Sequence, residues 1–130
     1  MIVDPSAIVA ILRAEDDAAK FSSALAGSSS ISLSAAGYLE AAMVIDGAGH
    51  PITSRQLDKL VFSTAITVVP FDERQARVAR QAFNDFGKGS GHPARLNFGD
   101  CFSYALASVT GQPLLYKGDD FGHTDVTSAI

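Results

Sequence analysis

The order of elements along the chain predicts an α/β fold with a mainly parallel central sheet flanked by helices. Three observations carry this. Short apolar, often β-branched runs alternate with longer helical stretches from end to end. The 130 residues contain no repeat, low-complexity tract or linker, so a single domain over 1–130 is expected. Apolar residues make up 47% and charged residues 18%, which suits a real core and excludes disorder.

Ile2-Val3 is a short buried run, and Pro5 suits the first turn of a helix read over Ser6 to Arg13. Asp16 to Ala26 reads as a second helix, stopped by Gly27. Ile31 to Leu33 is the next strand, after which Ser34 can cap a helix to about Ile45. Gly47, Gly49 and Pro51 break the chain before a helix over Ser54 to Ser63. Ile66 to Val69 is the clearest strand, closed by Pro70, and Asp72 can cap a helix to about Phe86. A glycine loop, Gly87 to Pro93, precedes a helix from Asn97 or Phe98 to about Thr110, with Gly111 as its stop. Leu114 to Tyr116 is a strand, and Val126 lies in a possible last one.

Ten Lys and Arg against 14 Asp and Glu leave a net charge of −4, so a whole-protein basic field for nucleic acid is absent. This counts against a plain DNA-binding module, but not against an enzyme that reaches phosphates through a metal ion. The single cysteine, Cys101, excludes an internal disulfide and a Cys-rich zinc module, and a reducing cytoplasm is expected. No apolar run approaches the roughly 18–20 residues of a membrane span, and the N-terminus lacks a signal-peptide pattern.

Most acids sit at helix starts or on polar faces, where capping and solubility explain them. Four places differ. Asp4 stands at the carboxyl end of the first strand, where it can also cap the next helix. Glu40 lies among Ala36, Gly37, Met43 and Val44 on a helix with no Lys or Arg, an expensive setting for a carboxylate. Asp100 occupies the first turn of a strongly apolar helix, where the helix dipole also favours it. Asp119 and Asp120 follow the last strong strand, in what can also be a Gly-Asp turn. Parallel topology brings strand ends to one edge. Carboxylates meeting there repel one another, and a divalent cation such as Mg²⁺ or Mn²⁺ resolves that.

His50, His92 and His123 lack catalytic spacing and read as surface or hydrogen-bonding residues. Cys101 reads as a buried thiol, with no basic neighbour to lower its pKa. The glycine loop is not a phosphate-binding P-loop, because it lacks the four-residue spacer and a Ser or Thr after Lys88.

Four segments in order resemble the PIN-domain family, and within it the VapC-type ribonucleases of bacterial toxin–antitoxin pairs. They are Met1-Ile2-Val3-Asp4-Pro5-Ser6-Ala7, Tyr38-Leu39-Glu40, Leu96-Asn97-Phe98-Gly99-Asp100-Cys101-Phe102, and Pro113 to Phe121. The resemblance spans the chain and implies the family's three-layer fold. It implies Asp4, Glu40 and Asp100 as metal-site acids, with Ser6 as a supporting hydroxyl beside the first. Pro5 stands where many relatives have Thr or another small polar residue, and Gly118 where many have the C-terminal acid. Asp119 and Asp120 are therefore both candidates for that acid. Asp120 is favoured because Gly118 allows a sharp turn, neighbours in an extended segment face opposite ways, and Phe121 is the nearest anchor.

The resulting expectation is a Mg²⁺-dependent endoribonuclease, with Mn²⁺ possible, acting as the toxin of a toxin–antitoxin pair. Asp4 and Asp100 hold the metal, Glu40 orients or deprotonates the attacking water, and Asp120 or Asp119 completes the site. Lys88, Arg95 and Lys117 are candidate contacts to RNA phosphates, though the role of exposed cations on a solvated face is favoured for each. Two alternatives stand: a response-regulator-like, Mg²⁺-dependent phosphoacceptor, and an inactive antitoxin-binding module. The resemblance further implies an antitoxin partner and a homodimer. Phe21, Leu25, Leu57, Leu60, Val61 and Phe62 form the apolar surplus expected at such a surface, with no membrane partner.

Overall fold

The computed structural model describes residues 1–64 and 66–130. Ten named strands and helices and one short 3₁₀ turn follow in chain order: β1 Ile2–Val3, α1 Pro5–Leu12, α2 Ala18–Ala26, β2 Ile31–Ser34, α3 Ala35–Asp46, α4 Pro51–Ser63, β3 Ile66–Val69, α5 Glu73–Phe86, α6 Phe98–Thr110, β4 Leu114–Leu115 and the 3₁₀ turn Asp120–His123. The strands pair in the order β3-β2-β1-β4, and every pairing is parallel. All four carboxyl ends therefore lie along one edge of the sheet.

Alternation across the sheet builds the two flanking layers. Val3, Leu33 and Leu115 point into a core with Ile8, Phe21 and Leu57 from α1, α2 and α4. Ile2 and Leu114 point the other way, against Ala82 of α5 and Tyr104 and Leu106 of α6. The expected three-layer α/β architecture is thus present. Ile2 pairs with Ser32, and Asp4 and Ser34 are both extended, so the same register sets Asp4 alongside Ser34 on the α5–α6 side.

Local signals account for most element ends. Pro5 sits in the first turn of α1, where its missing N–H is not needed, and the Asp4 side chain caps the helix by accepting from the Ser6 N–H. The Asp72 side chain caps α5 through the Gln75 N–H. Gly111 ends α6 with φ +63°, a conformation that suits glycine.

Four expectations need correction. Helix α4 begins at Pro51 rather than Ser54, because proline is well placed at a helix start. Ser34 stands at the N-cap of α3, but its side chain makes no capping bond. The last edge pairing falls at Ser128 rather than Val126: Leu114 N–H donates to Thr127 O and Ala129 N–H to Leu114 O, both at 2.9 Å. The supposed apolar surplus is mostly core. Phe21, Leu25, Leu57 and Val61 are buried and Leu60 is half-buried, leaving only Phe62 exposed. Among the exposed apolar side chains, which include Ile52 and Phe62, Leu39, Met43 and Phe98 share one hollow, at 59%, 68% and 79% exposure.

Candidate active site

Asp4 leaves β1 at the carboxyl edge and is buried. Its Oδ2 accepts from the Ser6 N–H at 2.9 Å and from the Ser6 hydroxyl at 2.5 Å. The Ser6 Oγ in turn accepts from the Lys117 backbone N–H at 3.0 Å, just beyond β4. Asp4 N–H donates to Leu115 O at 2.8 Å. Two neighbouring strand ends and the start of α1 therefore fix this carboxylate, and its capping role coexists with a second oxygen, Oδ1.

Asp100 is set by the start of α6. Asn97 Oδ1 accepts from the Asp100 N–H at 3.0 Å, and Asp100 Oδ2 accepts from the Asn97 N–H at 2.7 Å, a reciprocal capping box. This bond uses one carboxylate oxygen and leaves Oδ1 for other work. Glu40 reaches across from α3 to the same helix start. Its carboxylate lies so close to the Gly99 backbone that a Cβ at Gly99 would overlap both carboxylate oxygens. A glycine next to Asp100 is thus what admits Glu40, a role the sequence alone did not reveal because its cause lies on another helix.

Asp120 opens the 3₁₀ turn after Gly118, whose φ is +98°, and Phe121 behind it is buried. The segment is helical rather than extended, so strict side-to-side alternation does not apply to the Asp119–Asp120 pair. The two acids nevertheless differ. Both are exposed, but Asp120 is among the charges that act on Asp100, together with Asp4 and Glu40, and Asp119 is not.

The electrostatics describe a cluster short of positive charge. Burial raises the Asp4 pKa, opposed by hydrogen bonding from Ser103 and Ser6. Burial raises Glu40, and the Asp4 charge adds to it. Asp100 is pushed up to about 7, first by burial and then by Asp4, Asp120 and Glu40, against the lowering effect of the Asn97 N–H. Lys117, the cation nearest in sequence, is already engaged by Glu15 at 2.6 Å and Asp17 at 3.5 Å. Lys88 and Arg95 are exposed on the glycine loop and its exit.

The other candidates fall outside this cluster. His92 stacks edge-on against Phe86 at 5.0 Å, and its Nδ1 accepts from the Ala94 N–H. The Cys101 thiol is buried, and burial with the Asp100 charge pushes its pKa up to about 11, the reverse of an activated nucleophile. An apolar hollow of about 620 Å³ between α5 and α6 contains no acid. A second of about 490 Å³, walled by Leu39, Met43, Phe98 and Phe102, opens directly on Glu40. Among the described residues, no helix is long and apolar enough to cross a membrane.

A divalent cation fits the chemistry of these donors. They are all carboxylate oxygens, with hydroxyls behind them, and their mutual repulsion is unrelieved. Among the described residues, no three His, Cys, Asp or Glu side chains close into a ready-made cage. Mg²⁺ requires none, since it keeps several waters and takes only one or two carboxylates.

A family model for the PIN domain matches residues 1–126. This chain belongs to the PIN-domain family. Within it, the chain groups with the VapC-type ribonucleases. It is 58% identical over 130 residues to VapC ribonuclease Mb0625 of Mycobacterium bovis, covering 100% of this chain and 98% of that protein. Ribonuclease VapC42 of Mycobacterium tuberculosis is 51% identical over 129 residues, covering 99% and 98%. The solved structure of Mycobacterium tuberculosis VapC20, a Sarcin-Ricin loop cleaving toxin, superposes with a TM-score of 0.75 over 97% of this chain and 95% of that one. At 18% identity that likeness concerns the fold alone. In this PIN domain, Asp4 stands at the carboxyl edge of the parallel sheet, with Glu40 on α3, Asp100 at the start of α6 and Asp120 in the 3₁₀ turn.

Proposed function

We propose that this PIN domain is a Mg²⁺-dependent endoribonuclease, with Mn²⁺ able to substitute, and the toxin of a toxin–antitoxin pair. The observation that carries the reading is that Asp4, Glu40 and Asp120 all act on Asp100 through their negative charge, with burial raising Asp4, Glu40 and Asp100 alike. Membership of a ribonuclease family supports RNA as the substrate and disfavours a phosphoacceptor.

In this reading Asp4 and Asp100 would hold the cation. When bound, the cation polarises a phosphoryl oxygen and acidifies a water. Glu40 would orient an attacking water and accept its proton, a role suited to a carboxylate whose pKa is raised by burial. Asp120 adds negative charge that favours the cation, and Ser6 keeps Asp4 from rotating. The apolar residues Leu39, Met43 and Phe98 beside Glu40 form the surface for a second copy and for an amphipathic antitoxin segment. A cationic side chain from that segment would neutralise the acids and exclude the metal.

RNA incubated with the purified chain tests the reading. Cleavage is expected with Mg²⁺ or Mn²⁺, none with EDTA, and recovery when the metal is restored. Unchanged cleavage in EDTA would reject it.

A further inference from the structure

Two buried hydroxyls have no partner that the fold explains. Among the described residues, Ser34 and Ser103 are each 1% exposed, and neither Oγ makes a complete hydrogen bond. Such groups are rare, because a buried hydroxyl without a partner forfeits its hydration. Their placement is not scattered. Ser34 stands at an N-cap without capping, and the strand register sets it alongside Asp4. Ser103 lies three residues after Asp100 on α6, so it shares the helix face that carries Asp100 toward the sheet edge. Its hydroxyl is among the groups that favour the charged form of Asp4, although its Oγ makes no hydrogen bond of ordinary geometry.

A carboxylate offers about four lone-pair sites. Ser6 takes two of them, both on Oδ2 of Asp4. Oδ1 retains two, one for a cation and one for a donor from behind. We infer that Ser103 is a positioning residue for this site: it donates to Asp4 Oδ1 and, with Ser34 completing the buried hydroxyl strip, fixes the carboxylate in the orientation that presents its last lone pair to a divalent cation. The inference rests on the proposed metal site and deepens it. Ser103 does not touch substrate, and it acts through Asp4.

The test is direct Mn²⁺ binding to the full chain by calorimetry, with no RNA present, for wild type, Ser103→Ala and Ser103→Thr, alongside metal-free melting. Loss of a hydrogen bond to a metal ligand typically weakens affinity about 10-fold or more. Ser103→Ala is expected to do so while melting near the wild-type temperature, because Ser6 still holds Asp4 through two hydrogen bonds. Ser103→Thr, which keeps the hydroxyl, should recover affinity. If Ser103→Ala binds Mn²⁺ as wild type does, the hydroxyl is a mere orphan and the inference fails while the metal site stands. If affinity falls only together with the melting temperature, the role is structural and the inference likewise fails. If wild type binds no Mn²⁺, the metal reading and this inference fall together.

Discussion

Asp100 carries the sharpest residue-level consequence. Its carboxyl ionises near 3.8 when unfolded and near 7 in the fold. Between those values the folded chain binds more protons than the unfolded one, so the stability of the metal-free protein falls as pH rises through that window. Above about 7 the whole penalty is in place. Asp100→Asn keeps an oxygen for the Asn97 N–H and removes the charge. Metal-free, it should flatten the pH profile and gain roughly 1–2 kcal/mol above neutrality, a figure discounted because solvent still reaches the group. A wild-type melting temperature that rises through the same window would contradict this account. The neighbouring pair at the C-terminal motif gives a second prediction. Asp120→Asn should raise the Mg²⁺ concentration needed for RNA cleavage, and Asp119→Asn should leave it near wild type, because only Asp120 acts on Asp100. The opposite ranking in a Mg²⁺ titration would exchange their roles.

At the scale of elements, the start of α6 is where local and distant demands meet. Asn97 and Asp100 satisfy each other's backbone, which their spacing alone makes readable. Gly99 answers to Glu40 on α3, and nothing within its own helix announces this. Gly99→Ala therefore separates the two demands. Alanine is the better helix former by about 1 kcal/mol, so melting temperature should hold or rise. The displaced Glu40 carboxylate should nevertheless lower cleavage by about 10²-fold. Wild-type cleavage by Gly99→Ala would show that the position of Glu40 does not matter. The same contrast explains what the sequence made legible. Strand runs such as Ile66–Val69 and caps such as Asp72 are decided by neighbours in the chain. Ser34 has the residue type and position of a cap but turns away from it, because its surroundings are set by the adjoining strand.

At the scale of the whole molecule, periodicity tells which residues share a helix face but not which faces another layer covers. Phe21, Leu25, Leu57 and Val61 were readable as apolar stripes, yet they pack into the core between the sheet and α1, α2 and α4. Leu39, Met43 and Phe98 stay outside, on the flank of the acidic edge. If this flank receives a second copy, the chain should run as a dimer in light scattering at tens of micromolar, the order expected of a modest interface. Met43→Lys should shift it toward monomer without lowering the melting temperature, since the side chain is already 68% exposed. A wild-type protein that is monomeric throughout that range would remove the dimer.

RNA hydrolysis in the proposed reading requires the acids to act as one cation-holding site. The most direct measurement is RNA cleavage by wild type and Asp100→Asn across a Mn²⁺ titration, with folding of both verified by circular dichroism. Wild-type cleavage should rise from nothing and saturate, while Asp100→Asn stays folded and cuts at least 10²-fold more slowly at every concentration. Equal rates for the two proteins, or a rate independent of Mn²⁺, would contradict it.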